Sequence, residues 1–315
     1  MKNSSRVLLL FMFLCLTIQT NYLSAKESYN NNNKILGWYS LKSSFLVDSL
    51  TNKEKEKLVG EVTIDIFESI PTPLKVAILI KDIGTAYHKD SLSNPDSVDN
   101  YTHEYKKALN LGIYCTDLGY ANLYQENQDA INYLNSIHKL YKSLNIIQPL
   151  EYDNLKELIQ NNEDSDYLLK FTAQKFDYLI AEFTEQRRQH LGLLMITGGW
   201  LESVYITSLV YKDSRSKDLK NKIGEQKLVL YRILLALDVY KDKPNFESLI
   251  NELELLQKTY QNVEIVEKDG QPKMEVRDGQ IVIIDSKETI VTISNEDARI
   301  ISNLVASIRN KIITN

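Results

Sequence analysis

The sequence has few of the residues that form covalent cross-links or metal sites. Its 315 residues include two cysteines, Cys15 and Cys115, and four histidines. Because Cys15 lies in a leader-like segment, the rest of the chain holds a single thiol. This remaining part of the chain can form no internal disulfide, so its stability must come from a packed core. The low numbers of proline, six, and glycine, eleven, are typical of a mainly helical chain.

The motifs of common enzymes are also absent. No histidine belongs to an H-E-x-x-H sequence, and none stands three residues after a glutamate, as di-iron bundles require. The chain contains no G-x-G-x-x-G, no phosphate-binding P-loop and no G-x-S-x-G. These absences predict a protein with no cofactor and no metal, and they make a non-enzymatic function the first expectation.

The N-terminus has the pattern of a secretory signal peptide. Lys2 and Arg6 precede an uncharged stretch from Val7 to Ile18, and Ala25 offers a small residue for cleavage. The apolar run is too short to cross a bilayer in the mature chain. We expect export to the periplasm or the outer envelope after cleavage, with a lipid anchor at Cys15 as the alternative.

The charge of the chain limits the classes of partner that we expect it to bind. The net charge is -5 at neutral pH, and it becomes more negative when the basic leader is removed. An acidic protein is poorly suited to bind nucleic acid or an anionic membrane surface. A small ligand or an envelope protein is therefore the expected partner, whereas the sequence does not predict the oligomeric state.

Hydrophobic periodicity predicts a mainly α fold, a multi-helix bundle of packed helical hairpins. Apolar residues recur at spacings of three and four through most of 102–260, as in helices with one buried face. Beyond them, Asp269-Gly270 and Asp278-Gly279 predict β-hairpins, and Ser294 or Asn295 begins a closing helix. The predicted organisation is a signal peptide at 1–25, a flexible leader at 26–42, a helical domain at 43–261, and a β-hairpin element plus C-terminal helix at 262–315.

Two of the predicted helices carry glycines at matching positions. Gly112 and Gly119 lie in the first, and Gly192 and Gly199 occupy the same positions 80 residues later. Glycine weakens a helix by about 1 kcal/mol relative to alanine, a cost that the close approach of a second backbone offsets. We therefore predict that the two helices pack against each other as parts of a degenerate internal repeat. The two segments of this repeat are 102–144 and 182–240.

Two acidic residues lie within these apolar helices. Glu202 is the only charged residue in the stretch 191–210. Because burial of an unpaired carboxylate is costly, Glu202 must face water or pair with a cation such as Arg187 or Arg188. Asp117 occupies a comparable place midway along the earlier helix. In a shared cleft the two carboxyl groups would act as general acid and base, and they define the enzyme alternative.

The chain is rich in tyrosine, with nineteen in all, and many fall in or near the first glycine-bearing helix. Tyrosine combines a broad apolar area with a polar tip, so a cluster can line a groove for a peptide, glycan or small ligand. Cys115, on the strip of small residues, is predicted to be a buried structural thiol. The predicted ligand-binding residues are Tyr120, Tyr124, Trp200, Glu202 and Tyr205.

Several blocks of the sequence resemble an uncharacterised family of exported helical proteins and lipoproteins from Bacteroidetes-type bacteria. The blocks are Pro71-Thr72-Pro73, KALNLGIYCTDLGYANLY from Lys107, TGGWLESVYI from Thr197 and IRNKI from Ile308. The resemblance implies an envelope location and a helical core, and it brings no activity or catalytic residues. The stretch from Leu118 also resembles half of a tetratricopeptide repeat, without the period of about 34 residues.

The sequence thus predicts an exported helical protein that binds a ligand or protein partner through a groove between its glycine-bearing hairpins. An enzyme that uses Glu202 and Asp117 is the first alternative. A scaffold protein of the envelope, with no small ligand, is the second.

Overall fold

The apolar periodicity of the central sequence produces a bundle of α-helices, as predicted. In the computed structural model, the described residues are 82–146, 151–161, 181–269, 273–277, 280–284 and 287–314, with isolated positions between 51 and 80 and between 167 and 179. The predicted signal peptide, the leader and Cys15 lie outside them. The helices with complete bounds are α1 Glu104–Leu123, α2 Asn127–Ser143, α3 Tyr152–Gln160, α4 Gln189–Ser214, α5 Lys217–Asp238, α6 Phe246–Thr259 and α7 Asn295–Ile313.

Helix α4 forms the centre of the bundle and packs against α1, α5 and α7. By length and composition alone it could cross a membrane, but 83% of its most apolar stretch is buried inside the protein. A helix that is apolar on all sides can be the core helix of a globular protein. In this structure, α4 has that position.

The backbones of α1 and α4 touch where glycines face each other. A Cβ atom on Gly112 would lie 1.9 Å from the carbonyl oxygen of Met195, and one on Gly198 would lie 2.0 Å from that of Leu109. Only glycine permits this approach, so the predicted contact between the two glycine-bearing helices is confirmed.

The glycines that make this contact are not all the expected ones. Gly198 of α4 reaches α1, although the matched pattern did not include it. A Cβ on Gly192 would meet Phe183 at 3.4 Å, which is ordinary van der Waals contact. The two segments are therefore not equivalent at this glycine, and the internal repeat stays a prediction.

A small β element precedes the last helix. Its strands are β1 Glu264–Asp269, β2 Lys273–Arg277, β3 Gln280–Ile284 and β4 Lys287–Thr292. β2 and β3 form an antiparallel hairpin with Arg277 opposite Gln280, as the Asp278-Gly279 sequence predicts. The hairpin predicted at Asp269-Gly270 is wrong, because β1 pairs with β4. That pairing seats the sheet on α5, where a Cβ on Gly224 would lie 2.5 Å from Val291 Cγ1.

Helix α7 closes the bundle. The Ser294 hydroxyl caps it by accepting a hydrogen bond from the Asp297 N–H at 2.9 Å. At the other end, Lys106 of α1 donates to the carbonyls of Lys311 and Ile312, at 2.7 and 3.1 Å. The C-terminal helix is therefore part of the same core. Its buried apolar residues are Ala298, Ile301, Val305, Ile308 and Ile312.

Candidate functional site

An irregular segment, residues 88–101, contacts α1, α2 and α4, and we call it the strap. It contains two short 3-10 helices, Lys89–Ser91 and Pro95–Asn100, and leads into α1. Val98 and Tyr101 are its buried apolar residues. Ser93, a polar residue, is only 2% exposed, so the middle of the strap lies in the protein interior.

Three ionisable side chains meet next to the strap, and we call them the charged cluster. Glu202 of α4 and Asp117 of α1 are 0% exposed, and Arg309 of α7 is 3% exposed. Arg309 donates from Nε and Nη2 to the two carboxylate oxygens of Glu202, at 2.7 and 2.9 Å. This bidentate geometry is the strongest form of an arginine–carboxylate pair.

The prediction that Arg187 or Arg188 pairs with Glu202 is wrong. A helix rises about 1.5 Å per residue, so the N-terminal end of α4 lies about 20 Å from Glu202. Arg188 instead pairs with Glu104, at 2.7 Å. The sequence did contain a signal for the true partner, since Arg309 falls on the apolar stripe of α7. A cation on a buried stripe requires a buried anion.

Arg309 is held from two sides. Burial acts to lower the pKa of its guanidinium, but the Glu202 carboxylate outweighs burial and raises the pKa above its ordinary value. The guanidinium carbon also lies 4.4 Å from the centroid of the Tyr205 ring, within the range of a cation–π contact. Glu202 and Tyr205, both predicted as site residues, therefore share one partner.

Asp117 lies beside this ion pair. Ser93 donates to its Oδ2 from the backbone N–H at 3.2 Å and also from the hydroxyl. Burial raises the pKa of Asp117 well above its ordinary 3.8, and the charge of Glu202 raises it further, while Ser93 and Arg309 act in the opposite direction. The two carboxyl groups predicted from the sequence are thus brought together.

A proton on Asp117 satisfies this arrangement. Within the described part of the chain, Asp117 Oδ1 has no hydrogen-bond donor. A protonated carboxyl group can instead donate a hydrogen bond, and Glu202 is the neighbouring acceptor that raises the pKa of Asp117. The charged cluster then consists of one anion, one cation and one neutral acid, so it carries no net charge.

Four hydroxyl groups from the helices bond to backbone carbonyls of the strap, and we call them the hydroxyl row. Burial raises the pKa of Tyr114 and Tyr133, so these phenols remain protonated donors. The four hydrogen bonds are Tyr205 to Ser91 at 3.1 Å, Tyr133 to Ser93 at 2.7 Å, Tyr114 to Asn94 at 3.0 Å and Ser136 to Pro95 at 2.8 Å.

The other predicted ligand-binding residues lie in different surroundings. Tyr120 and Tyr124 pack with Tyr87, and the three ring centroids are 5.0, 5.3 and 5.5 Å apart. Trp200 is 1% exposed and donates to Gln226 Oε1 of α5 at 3.0 Å. The five predicted residues thus have three separate sets of partners.

Metal and thiol chemistry receive little support in the described part of the chain. No group of three or more His, Cys, Asp or Glu side chains there could hold a metal ion. Burial lowers the pKa of His190 to about 4, with further lowering by nearby cations. Cys115 is partly buried, and burial raises the pKa of its thiol to about 12, which disfavours the reactive thiolate.

The fold and the site define a helical-bundle protein with a buried charged cluster next to a tyrosine-bound strap. In comparisons with known proteins, no family model, no curated protein and no solved structure matches the chain. The resemblance to exported helical proteins stays a prediction. The blocks that carry it, from Lys107, Thr197 and Ile308, contain Asp117, Glu202 and Arg309 in that order.

Proposed function

We propose that this is a non-enzymatic, exported protein that binds an extended segment of a partner protein through the hydroxyl row. The observation that carries the proposal is the convergence of four hydroxyl donors, from three helices, on carbonyls of one irregular segment. Donors aimed at backbone carbonyls bind a chain whatever its side chains are. Sites that bind extended peptides gain affinity from such main-chain hydrogen bonds.

In this proposal the charged cluster organises the site and does not react. Both oxygens of Glu202 are engaged by Arg309, and Arg309 in turn lies against the Tyr205 ring. The ion pair therefore helps to hold Tyr205 where its hydroxyl meets the strap. Asp117 supplies the acceptor for an N–H and a hydroxyl of the bound segment, as it does for Ser93.

Mass spectrometry of the exported protein tests the proposal. We expect a native mass above that of the chain, with the excess lost on denaturation. Ser93→Ala removes a hydrogen bond from the strap to Asp117 and leaves the hydroxyl row intact, so it should increase the excess, because the strap must leave the row before a partner binds. Tyr260→Phe is the control, because the Tyr260 hydroxyl donates to the carbonyl of Ile223 in α5, at 3.1 Å. A native mass equal to the chain alone, or equal changes in both variants, would contradict the proposal.

The intact mass of the protein in the same preparation tests the proposed signal-peptide cleavage. A chain that begins at Lys26 is expected from cleavage after Ala25. A chain that begins at Cys15 and carries lipid would contradict that cleavage site.

An acid–base enzyme is the second candidate, and one observation favours it. Asp117 and Glu202 are adjacent, and the pKa of Asp117 is raised, which is a common feature of catalytic carboxyl pairs. Catalysis would require movement of the strap and access to Asp117. A substrate converted by the wild-type protein and by Tyr133→Phe, but not by Asp117→Asn, would favour the enzyme over the binding protein.

A further inference from the structure

We propose that the strap is a lid that opens as a unit while α1, α2 and α4 stay folded, and that in the closed state it occupies the place of the partner segment. The opening follows from the contacts of the strap alone. The identity of the occupant rests on the proposed function.

Polar contacts attach most of the strap to the helices. Beyond the hydroxyl row, its side chains form ion pairs with α2. Its buried apolar residues are Val98 and Tyr101, and Leu92 is partly buried against the core. Segments with few buried apolar contacts open locally at a lower free energy than the packed helices around them. The ion pairs are Lys89 with Asp129 at 2.7 Å and Asp99 with Lys139 at 2.8 Å.

Tyr114 packs against Tyr101 of the strap, with ring centroids 6.2 Å apart, but the surface under the strap is also held by contacts that do not involve the strap. The rings of Tyr114 and Tyr133 pack with centroids 6.0 Å apart, and Tyr205 is held by Arg309. These hydroxyl groups would therefore keep their positions when the strap leaves. An open lid would expose a preorganised row of donors with the carboxyl group of Asp117 among them, which favours binding.

The strap itself indicates the chemistry of the partner. Leu92 and Asn94 have extended backbones, with φ and ψ of -77° and 168° for the first and -75° and 115° for the second. Between them, Ser93 is bound by its N–H, its hydroxyl and its carbonyl. The partner that fits is an extended peptide segment with a small hydroxyl side chain at this central position.

Hydrogen exchange of the full chain tests the opening. We expect the strap amides to exchange faster than those of α1 and α4, with little dependence on low urea concentrations, because a local opening exposes little surface. Tyr133→Phe should speed exchange in the strap by about tenfold, the effect of losing one hydrogen bond. Tyr260→Phe should leave strap exchange unchanged. Equal rates and equal urea dependence in the strap and in α1 would overturn the lid.

A labelled peptide with the sequence of residues 88–101 tests the occupant. In the wild-type chain the tethered strap competes at high effective concentration, so the free peptide should bind weakly. Ser93→Ala weakens the attachment of the strap to Asp117 and leaves the hydroxyl row intact. This variant should bind the peptide about tenfold more tightly than the wild-type chain does. A peptide that has alanine in place of Ser93 should not bind the Ser93→Ala protein with this higher affinity.

The outcomes of the two experiments separate the two claims. If the strap opens but Ser93→Ala binds the peptide no better than wild type, the peptide is overturned as occupant and the lid stands. If native mass spectrometry finds no partner while the peptide binds, the proposed function falls, and with it the claim that the strap takes the place of a partner segment, whereas the lid stands.

Discussion

Arg309 and Glu202 lie 107 residues apart in the chain and form a bidentate ion pair in which both side chains are almost wholly buried. Either charge alone would be buried without a counter-charge, so α4 and α7 depend on each other. Such a pair adds little net stability compared with apolar residues, but breaking it from one side is costly. The pair therefore favours the docking register of α7 that brings Arg309 to Glu202.

Removal of Arg309 alone should therefore destabilise the protein strongly. We expect Arg309→Met to cost about 3–5 kcal/mol in the free energy of unfolding, because Glu202 is left buried and unpaired. The double variant Glu202→Leu, Arg309→Met removes both charges and should recover most of this loss. Urea unfolding of the three proteins measures the difference. A double variant as unstable as the single one would show that the pair is not the cause.

The exposed pair Arg299–Glu296 provides a control for this experiment. Both side chains are largely in solvent, with 61% and 62% exposed, and exposed pairs contribute little. Arg299→Met should therefore leave the urea midpoint nearly unchanged.

The stability conferred by Asp117 should depend on pH in a direction opposite to that of most carboxyl groups. Its pKa in the folded protein lies well above the ordinary 3.8 of an unfolded chain. Its contribution to the free energy of unfolding is therefore complete below pH 3.8 and is lost as the pH rises through the folded pKa. Asp117→Asn mimics the protonated form, because the amide can accept from Ser93 and donate to Glu202. The melting temperature of the variant should match wild type near about pH 4 and exceed it increasingly at higher pH.

Asp297 serves as a control of opposite sign. Hydrogen bonds from Ser294 and Asn262 lower its pKa, so its contribution is present above the unfolded pKa and is lost as the pH falls through the folded one. Asp297→Asn should destabilise at neutral pH and have less effect in acid. If both variants follow the same trend with pH, the assignment of the proton to Asp117 is wrong.

Alanine at the helix crossing should be costly. Gly198→Ala would place a methyl group 2.0 Å from the Leu109 carbonyl oxygen, and overpacking of this kind costs about 1–3 kcal/mol or more. Gly192→Ala meets Phe183 only at 3.4 Å, and it should be neutral or stabilising by up to about 1 kcal/mol because alanine favours the helix. Equal melting temperatures for the two variants would contradict the close approach of α1 and α4.

Trp200 should behave as a core residue. The chain has two tryptophans, so Trp38→Phe leaves Trp200 as the only tryptophan, which can be excited selectively over tyrosine. We expect its fluorescence to resist quenching by acrylamide, because the side chain is 1% exposed. Efficient quenching in the folded state would show that Trp200 is accessible to small molecules, as its predicted ligand-binding role requires.

Helical geometry explains which candidate residues could share a site. Residues two apart on a helix do not face each other, whereas residues three apart are neighbours. Trp200 therefore contacts α5 while Glu202 contacts α7, and Glu202 and Tyr205 meet on one partner. The spacing in the sequence already separated Trp200 from the other two, but it did not identify Arg309.

Local sequence patterns determined the helices and the cap at Ser294, because periodicity and capping act over a few residues. The glycines also predicted that α1 and α4 touch, because a strip of small residues needs a close neighbour. Only the tertiary structure decided the pairing of Glu202 with Arg309, the choice of β4 as the partner of β1, and the place of the strap on the hydroxyl row. These contacts join residues that are distant in the chain. Their energies depend on burial and distance, which exist only once the helices have packed.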